Sequence, residues 1–375
     1  MTLLSFTEFF RELNGNSDPF PWQNDLAERA VAGDWPDFIA APTGSGKTAC
    51  LEVAVYALAA QAHLPPPERS ASRRIFFIVN RRVIVDEAFD RARRMAQSLA
   101  APSPDRPACQ AVAEALLSLN PLPPGATGFP RIPLDCVQLR GAIYRDQRWT
   151  RSLLQPTLVA TTVDQAGSRM LLRGYGVTTN ARPIHAALVA TDALWILDEA
   201  HISRPFAQTV ATLQRYREHH LSNQPSAIHP PPLRWVQMTA TPPKTGGRIL
   251  DLTQADREHP VLAKRIDAAK PTRLVISEAK TKAKPQDALV TKLIDQAAKV
   301  IDEDTPWSLA IMVNRVATAR LVAEKLTREV TSKNARFCAR VSLLIGRMRP
   351  LDRDTETERI QLALKSAARR EPPPE

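Results

Sequence analysis

Short apolar runs alternate with longer amphipathic segments through the first two thirds of the chain. The runs are almost wholly apolar, which is typical of strands that are buried on both faces of a sheet. They cover residues 38–40, 75–79, 157–160, 193–197 and 233–238. Amphipathic segments predict helices over residues 6–13, 22–32, 49–62, 83 to about 99, and 109–119. The alternation predicts an α/β fold with a parallel sheet and right-handed crossovers.

The same pattern predicts where one domain ends and another begins. We expect a first α/β domain over residues 1–255 and the start of a second one, apparently incomplete, over residues 256–375. The second has candidate strands at 274–276, 308–313 and 341–345 and a helix from 315 to about 330. A proline-rich segment, about 101–133, is interpreted as a surface insertion. The charged and proline-rich tail, about 369–375, is expected to be disordered.

Residues 41–48, with the sequence APTGSGKT, follow the first apolar run and precede a helix. Strand, tight loop and helix form the context of a phosphate-binding loop. Glycines let backbone N–H groups surround a polyphosphate, and the helix N-terminus favours its negative charge. Lys47 would reach the β/γ-phosphates and Thr48 would place its hydroxyl on Mg²⁺. The residues that would surround the phosphates are Thr43, Gly44, Ser45 and Gly46. The alternative is a coincidental Gly-Ser turn.

The buried run at 193–197 leads directly into Asp198, Glu199, Ala200 and His201. Ligands of open α/β sheets bind beyond the carboxyl ends of the strands, where these residues would lie. Asp198 suits the coordination shell of Mg²⁺, and Glu199 suits the orientation or deprotonation of an attacking water. Lys47, Asp198 and Glu199 are therefore the candidate catalytic residues. The alternative is a solvated acidic strand end.

Charge and cysteine content narrow the class of protein. The net charge of +11 and the pI near 9.8 suit a polyanionic partner, although they also suit solubility alone. Four cysteines lack the spacing of zinc ligands and give no sign of a disulfide framework. The N-terminus lacks the features of a signal peptide, and no apolar run is long enough to cross a bilayer. We expect a soluble cytoplasmic protein with no membrane partner.

The order of these motifs resembles the first motor lobe of a superfamily 2 helicase. That resemblance implies a RecA-like lobe that binds ATP and Mg²⁺, followed by part of a second RecA-like lobe. It also implies that His201, Thr239 and Thr241 link the ATP site to the nucleic-acid groove; the alternative is simple hydrogen bonding at strand ends. Gln23 lies where these helicases read adenine, and its amide is both a donor and an acceptor. The alternative for Gln23 is a surface position at a helix start.

Longer strings resemble a narrower family, the CRISPR-associated helicase–nuclease of type I interference systems. The strings are VNRRVIVD at 79–86, TVDQAGSR at 162–169, RGYG at 173–176, DEAHISRPF at 198–206 and GRMRPLDR at 346–353. The resemblance covers residues 6 to about 353. It implies recruitment by a crRNA-guided surveillance complex, followed by ATP-driven 3′ to 5′ movement on single-stranded target DNA that a metal-dependent His-Asp nuclease degrades.

The sequence departs from that family in two respects. It holds no His-Asp dipeptide, so the nuclease domain is expected beyond residue 375. The late arginine motif is also incomplete: Leu343 and Pro350 replace its usual Gln/His and its last Arg. Arg347 and Arg349 are therefore expected in a loop after an early strand. Because an arginine finger contributes about 10³–10⁵ in rate, we expect ATP binding with weak or absent hydrolysis by this chain alone.

Strand-end position and the family resemblance select candidate nucleic-acid contacts, which would be mainly to phosphates and therefore salt-sensitive. They are Arg81, Arg82, Arg140, Thr161, Thr162, Gln165 and Arg169. Packing within the protein is the alternative for each of them. The sequence leaves three functions open: a DNA translocase of CRISPR defence, another superfamily 2 motor such as an RNA helicase or restriction translocase, and a catalytically impaired fragment that binds ATP or DNA.

Overall fold

A computed structural model of the chain describes residues 4–121, 131–140, 148–222, 233–243, 246–269, 271–277, 285–301, 309–331, 340–346 and 348–369. The chain divides into two compact units, Met1–Ala269 and Lys270–Glu375. Residues 256–269, which the sequence analysis assigns to the second domain, thus lie with the first unit. Within the described residues, no helix has both the length and the apolar character needed to cross a membrane.

The first unit is built on a seven-stranded sheet in which all neighbouring strands are parallel. Its strands are β1 Phe38–Ala40, β2 Arg74–Val79, β3 Asp135–Leu139, β4 Thr157–Thr162, β5 Ala193–Leu197, β6 Leu233–Thr239 and β7 Ile249–Asp251. Across the sheet they run in the order β3-β4-β2-β5-β6-β1-β7. The predicted parallel α/β fold class is therefore confirmed.

Ten helices of the described first unit surround this sheet. They are α1 Phe6–Leu13, α2 Pro21–Val31, α3 Cys50–Ala60, α4 Arg82–Ala100, α5 Pro107–Ser118, α6 Val163–Met170, α7 Arg182–Ala190, α8 Arg204–Ser222, α9 Gln254–Glu258 and α10 Pro260–Ile266. Side chains alternate along each strand and fill two cores. In β2, Ile75 and Phe77 enter a core that also contains α1 to α5, whereas Phe76 and Ile78 enter the opposite one with residues of α6 to α8.

All five predicted strands are present, and two more flank them. Both additional strands, β3 and β7, are edges of the sheet and are only partly buried. These edge strands need no continuous apolar run, because their faces are only partly covered by other elements. The apolar pattern that identified the central strands was therefore absent from these two.

The helix of the proline-rich segment belongs to the core. In α5, Cys109 and Leu116 are fully buried. Glu12 of α1 caps this helix, since its carboxylate accepts hydrogen bonds from the N–H groups of Ala108 at 3.0 Å and Cys109 at 2.7 Å. The interpretation of residues 101–133 as a surface insertion is therefore wrong for this helix.

Much of the arginine-rich stretch at 69–94 is structural. Arg74, the first residue of β2, is buried and donates to the carbonyl oxygens of Leu188 at 3.0 Å, Leu153 at 3.0 Å and Thr191 at 2.7 Å. Arg73 pairs with Asp192 at 3.0 Å. These guanidinium groups hold the end of α7 against the sheet, so they do not form a surface for a polyanion.

The second unit is described over three helices, α11 Pro285–Ile301, α12 Val316–Thr331 and α13 Pro350–Arg369. Val290 and Ile294 of α11 pack against Val322 of α12 in a small core. The predicted strands at 274–276, 309–313 and 341–345 are not assigned as strands, because no other described segment there pairs with them. Ser308, Arg347 and residues 370–375 of the predicted disordered tail lie outside the described residues. Arg369, the first residue of that tail, ends α13 and is therefore helical.

Candidate nucleotide and coupling site

The phosphate-binding loop connects the end of β1 to α3. Gly44 and Gly46 adopt φ angles of 88° and 79°, a left-handed conformation that glycine accepts without strain. The Ser45 hydroxyl donates to the Pro42 carbonyl at 2.7 Å and closes the turn. A 3₁₀ turn, Lys47–Ala49, then leads into α3. The predicted strand–loop–helix context is present, with the helix starting one residue later than expected.

Lys47 meets both acidic residues that follow β5. Its Nζ lies 3.0 Å from Glu199 Oε1 and 3.9 Å from Asp198 Oδ1. Only β6 separates β1 from β5, and parallel strands end at the same edge, so two sequence-distant motifs face each other. Burial raises the pKa of Asp198, the Lys47 ammonium opposes that rise, and the Glu199 carboxylate adds to it. The site thus holds two carboxylates around one lysine that is 9% exposed.

These residues fit a magnesium–polyphosphate ligand. A buried lysine offers its charge to phosphate oxygens, and a carboxylate that burial destabilises gains from a divalent cation. Thr48, which is half-buried in the 3₁₀ turn, and Asp198 would hold Mg²⁺ together with ligand oxygens and water. Mg²⁺ bound there would neutralise charge that develops on the phosphates. Among the described residues no three His, Cys, Asp or Glu side chains form a metal cluster of their own.

The three predicted coupling residues lie together beside Glu199. His201 Nδ1 is 3.4 Å from Glu199 Oε2 and 3.4 Å from Thr239 Oγ1. Thr239 Oγ1 in turn accepts the N–H of Thr241 at 3.1 Å. Glu199 has a φ of 48°, a left-handed conformation that is costly for a residue with a Cβ. A backbone held in this way at a catalytic candidate is typical of functional sites.

Gln23 lies against the phosphate-binding loop. Its Oε1 accepts the N–H of Phe20 at 2.8 Å, and its Nε2 donates to the carbonyl of Gly46 at 3.1 Å. The side chain is almost completely buried. One N–H and one lone pair of the amide are left after these bonds, so the predicted pairing with adenine stays a prediction.

Most of the candidate nucleic-acid residues make contacts inside the protein. Thr161 is fully buried and donates to Leu139 O at 3.1 Å, while Thr162 accepts from Gln165 N at 3.4 Å and caps α6. Arg140 forms an ion pair with Asp86. These contacts correspond to the packing alternative considered for each residue.

Arg169 is also an interior residue. It is buried and donates to the side-chain oxygen of Gln165 at 2.6 Å. Burial, together with the charge of Arg169, lowers the pKa of His185 to about 4. Arg81, in contrast, is exposed just before α4, and the side chain of Arg82 lies outside the described atoms. Arg81 is thus the described candidate arginine that is accessible to a phosphate.

Two residues at this site escaped the sequence analysis. Trp22 donates its indole N–H to Ser45 O at 3.2 Å, and Arg265 of α10 donates to Gly44 O at 3.2 Å. Trp22 is next to Gln23 in the sequence, but its type and position predict only an ordinary core residue. Arg265 lies more than two hundred residues from the loop, and no motif marks it.

Comparisons with known proteins find similarity in fold and none in sequence families. No protein-family profile matches the chain, and no curated protein shows significant similarity to it. The solved structures with a similar fold include the yeast DEAD-box splicing factor Prp28, at 15% identity and a TM-score of 0.36, covering 86% of this chain and 62% of that one. They also include Cas3 of T. fusca with AMPPNP, at 14% identity and a TM-score of 0.34, covering 88% of this chain and 33% of that one. The chain spans less than two thirds of either protein, and similarities this low carry no argument about function.

Proposed function

We propose that the chain is an ATP-dependent motor of the superfamily 2 helicase class. In this proposal it binds Mg–ATP and couples the nucleotide to single-stranded DNA, while efficient hydrolysis requires the arginines that its late motif lacks. The observation that carries the proposal is the continuous line of contacts from Lys47 through Glu199 and His201 to Thr239. A protein that only binds a nucleotide has no need of the contacts that His201 and Thr239 add to this line.

The geometry suggests the part that each side chain plays in hydrolysis. Lys47 binds phosphate oxygens, and Asp198 holds the metal-facing side of the site. We propose that Glu199, which has one oxygen on Lys47 and the other near His201, orients a water for attack and accepts its proton. A change in the position of Glu199 would move His201, and Thr239 after it.

The biological setting rests on the sequence strings that resemble the type I CRISPR helicase–nuclease family. On that basis we propose a cytoplasmic role in antiviral defence, with recruitment by a crRNA-guided surveillance complex and with a nuclease domain as a partner. Two motor lobes, which correspond to the units Met1–Ala269 and Lys270–Glu375, belong to the same proposal.

Binding measurements separate this proposal from its alternatives. Mg–ATP affinity is measured by titration with a fluorescent ATP analogue for the wild-type chain and for Lys47→Ala. Single-stranded DNA and RNA of the same sequence are then titrated at low salt in the presence of Mg–ATP. We expect nucleotide binding that Lys47→Ala weakens strongly, and tighter binding of DNA than of RNA. A preference for RNA would indicate another superfamily 2 motor, and a lack of Mg–ATP binding would refute the proposal altogether.

A further inference from the structure

Three consecutive carbonyl oxygens of the phosphate-binding loop accept hydrogen bonds from side chains outside the loop. The donors come from two separate parts of the chain, the start of α2 and the end of α10. The pairs are Arg265 Nη1 to Gly44 O at 3.2 Å, Trp22 Nε1 to Ser45 O at 3.2 Å and Gln23 Nε2 to Gly46 O at 3.1 Å.

These bonds determine which way the loop's amides point. In a trans peptide the C=O of one residue and the N–H of the next point in opposite directions. Holding the carbonyls of Ser45 and Gly46 on the outside therefore turns the N–H groups of Gly46 and Lys47 to the inside, where a phosphate would lie. The N–H of Ser45 donates instead to the Pro42 carbonyl at 3.3 Å and closes the turn. Gly44 and Gly46 have no Cβ to restrict them, so hydrogen bonds select the orientation of these peptides. At Gly46 O the bond from Gln23 adds to one from the backbone N–H of Ala49 at 3.0 Å.

The three donors are themselves held in place. Trp22 is fully buried, and its backbone N–H donates to Oδ1 of the fully buried Asp256 at 2.8 Å. Gln23 is fixed through its bond from Phe20 N. The guanidinium of Arg265 lies 5.7 Å from the centre of the Phe20 ring, a cation–π contact. Each donor therefore has a second contact outside the loop.

We propose that Trp22, Gln23 and Arg265 form a peptide clamp that keeps the loop in its phosphate-binding conformation. They are positioning residues for the polyphosphate, so their effect does not depend on the base of the nucleotide. This assigns to Gln23 a task other than the reading of adenine. The inference rests on the proposed function only in requiring that the loop bind a triphosphate.

The test compares a nucleotide with a ligand that has no base. Affinities for Mg–ATP and for inorganic tripolyphosphate with Mg²⁺ are measured by calorimetry for wild type, Arg265→Ala and Trp22→Phe. The loss of one such bond should weaken binding about five- to tenfold, and by the same factor for both ligands. Arg265→Lys keeps a donor and should recover part of the loss. Lys264→Ala, an exposed neighbour on α10, serves as the matched control and should bind both ligands like wild type.

Three outcomes would overturn the clamp. A loss of ATP affinity with unchanged tripolyphosphate affinity would place these side chains at the base. Unchanged affinities in both variants, with normal binding by wild type, would refute the clamp and leave the proposed function intact. A wild-type chain that binds neither ligand would refute both. Thermal unfolding of each variant checks that the fold is retained, and the exposed Arg265 still gives a result if Trp22→Phe proves unstable.

Discussion

At the scale of single residues, the site brings the positive charge of one lysine close to the negative charges of two carboxylates. Asp198 is largely buried, and its neighbours include both Lys47 and the like-charged Glu199. Burial raises its pKa, so the ionised form that Mg²⁺ requires is the form that the fold tolerates less well. A candidate metal ligand held in this state would lower the stability of the protein in return for affinity toward a cation.

Replacing Asp198 with Asn should therefore stabilise the ligand-free protein at neutral pH, by about 0.5–2 kcal/mol. The folded-state pKa of Asp198 lies above its unfolded value, so its contribution to stability is present at low pH and is lost as the pH rises through the folded pKa. The advantage of Asp198→Asn should accordingly shrink as the pH falls through that same range. Denaturant unfolding of both proteins from pH 4 to 8 checks this, and a variant that is less stable at pH 7 would contradict it.

The sequence predicted the meeting of Lys47, Asp198 and Glu199 because the carboxyl ends of parallel strands share one edge of a sheet. It did not predict that Arg169 would be buried with Gln165, because burial depends on how α6 packs against α7. Nor did it predict Arg265, whose contact with Gly44 joins segments that no local pattern relates. Chemistry that follows from strand topology was thus predictable, and contacts that follow from helix packing were not.

At the scale of elements, buried polar groups fix helices against the sheet. Arg74 begins β2 and donates to three carbonyl oxygens, two of them in the last turn of α7 or just beyond it. Those carbonyls have no partner within their helix, so the guanidinium completes its C-terminus. From the sequence alone, Arg74 was indistinguishable from the exposed arginines near it.

Arg74→Met keeps much of the aliphatic stem and removes the donors, which leaves buried carbonyls without their charged partner. We expect the free energy of unfolding to fall by about 1.5–3 kcal/mol, the range for a single hydrogen bond to a charged group, or by more if the three bonds act together. The matched control is Arg81→Met, because Arg81 is exposed two residues beyond the opposite end of the same strand; its effect should stay within about 0.5 kcal/mol. Equal effects of the two substitutions on urea unfolding would contradict the assigned role.

At the scale of the whole molecule, the net charge of +11 favours a polyanionic partner, but several arginines are already used inside the fold. Arg81 remains exposed where β2 ends, at the same edge of the sheet as Glu199. This edge is therefore the expected place of contact with single-stranded DNA.

Arg81→Ala should weaken binding to single-stranded DNA and lower the slope of log K against log salt by about 0.7, the value for one phosphate contact. The effect should not depend on the DNA sequence, because phosphates carry no sequence information. Fluorescence anisotropy between 50 and 200 mM salt measures the slope. Arg215→Ala, on the exposed face of α8, is the control and should leave the salt slope unchanged. An unchanged slope in Arg81→Ala would show that Arg81 does not contact a phosphate.

The most direct measurement of the central claim is the affinity for Mg–ATP with and without saturating single-stranded DNA, in wild type and in His201→Ala. If the line from Lys47 to Thr239 couples the two sites, DNA should change the ATP affinity of wild type by about 5- to 150-fold. The same ratio should fall close to one in His201→Ala, because His201 is the residue that links Glu199 to Thr239. An ATP affinity that DNA does not change in wild type, or a ratio that His201→Ala fully retains, would contradict the account.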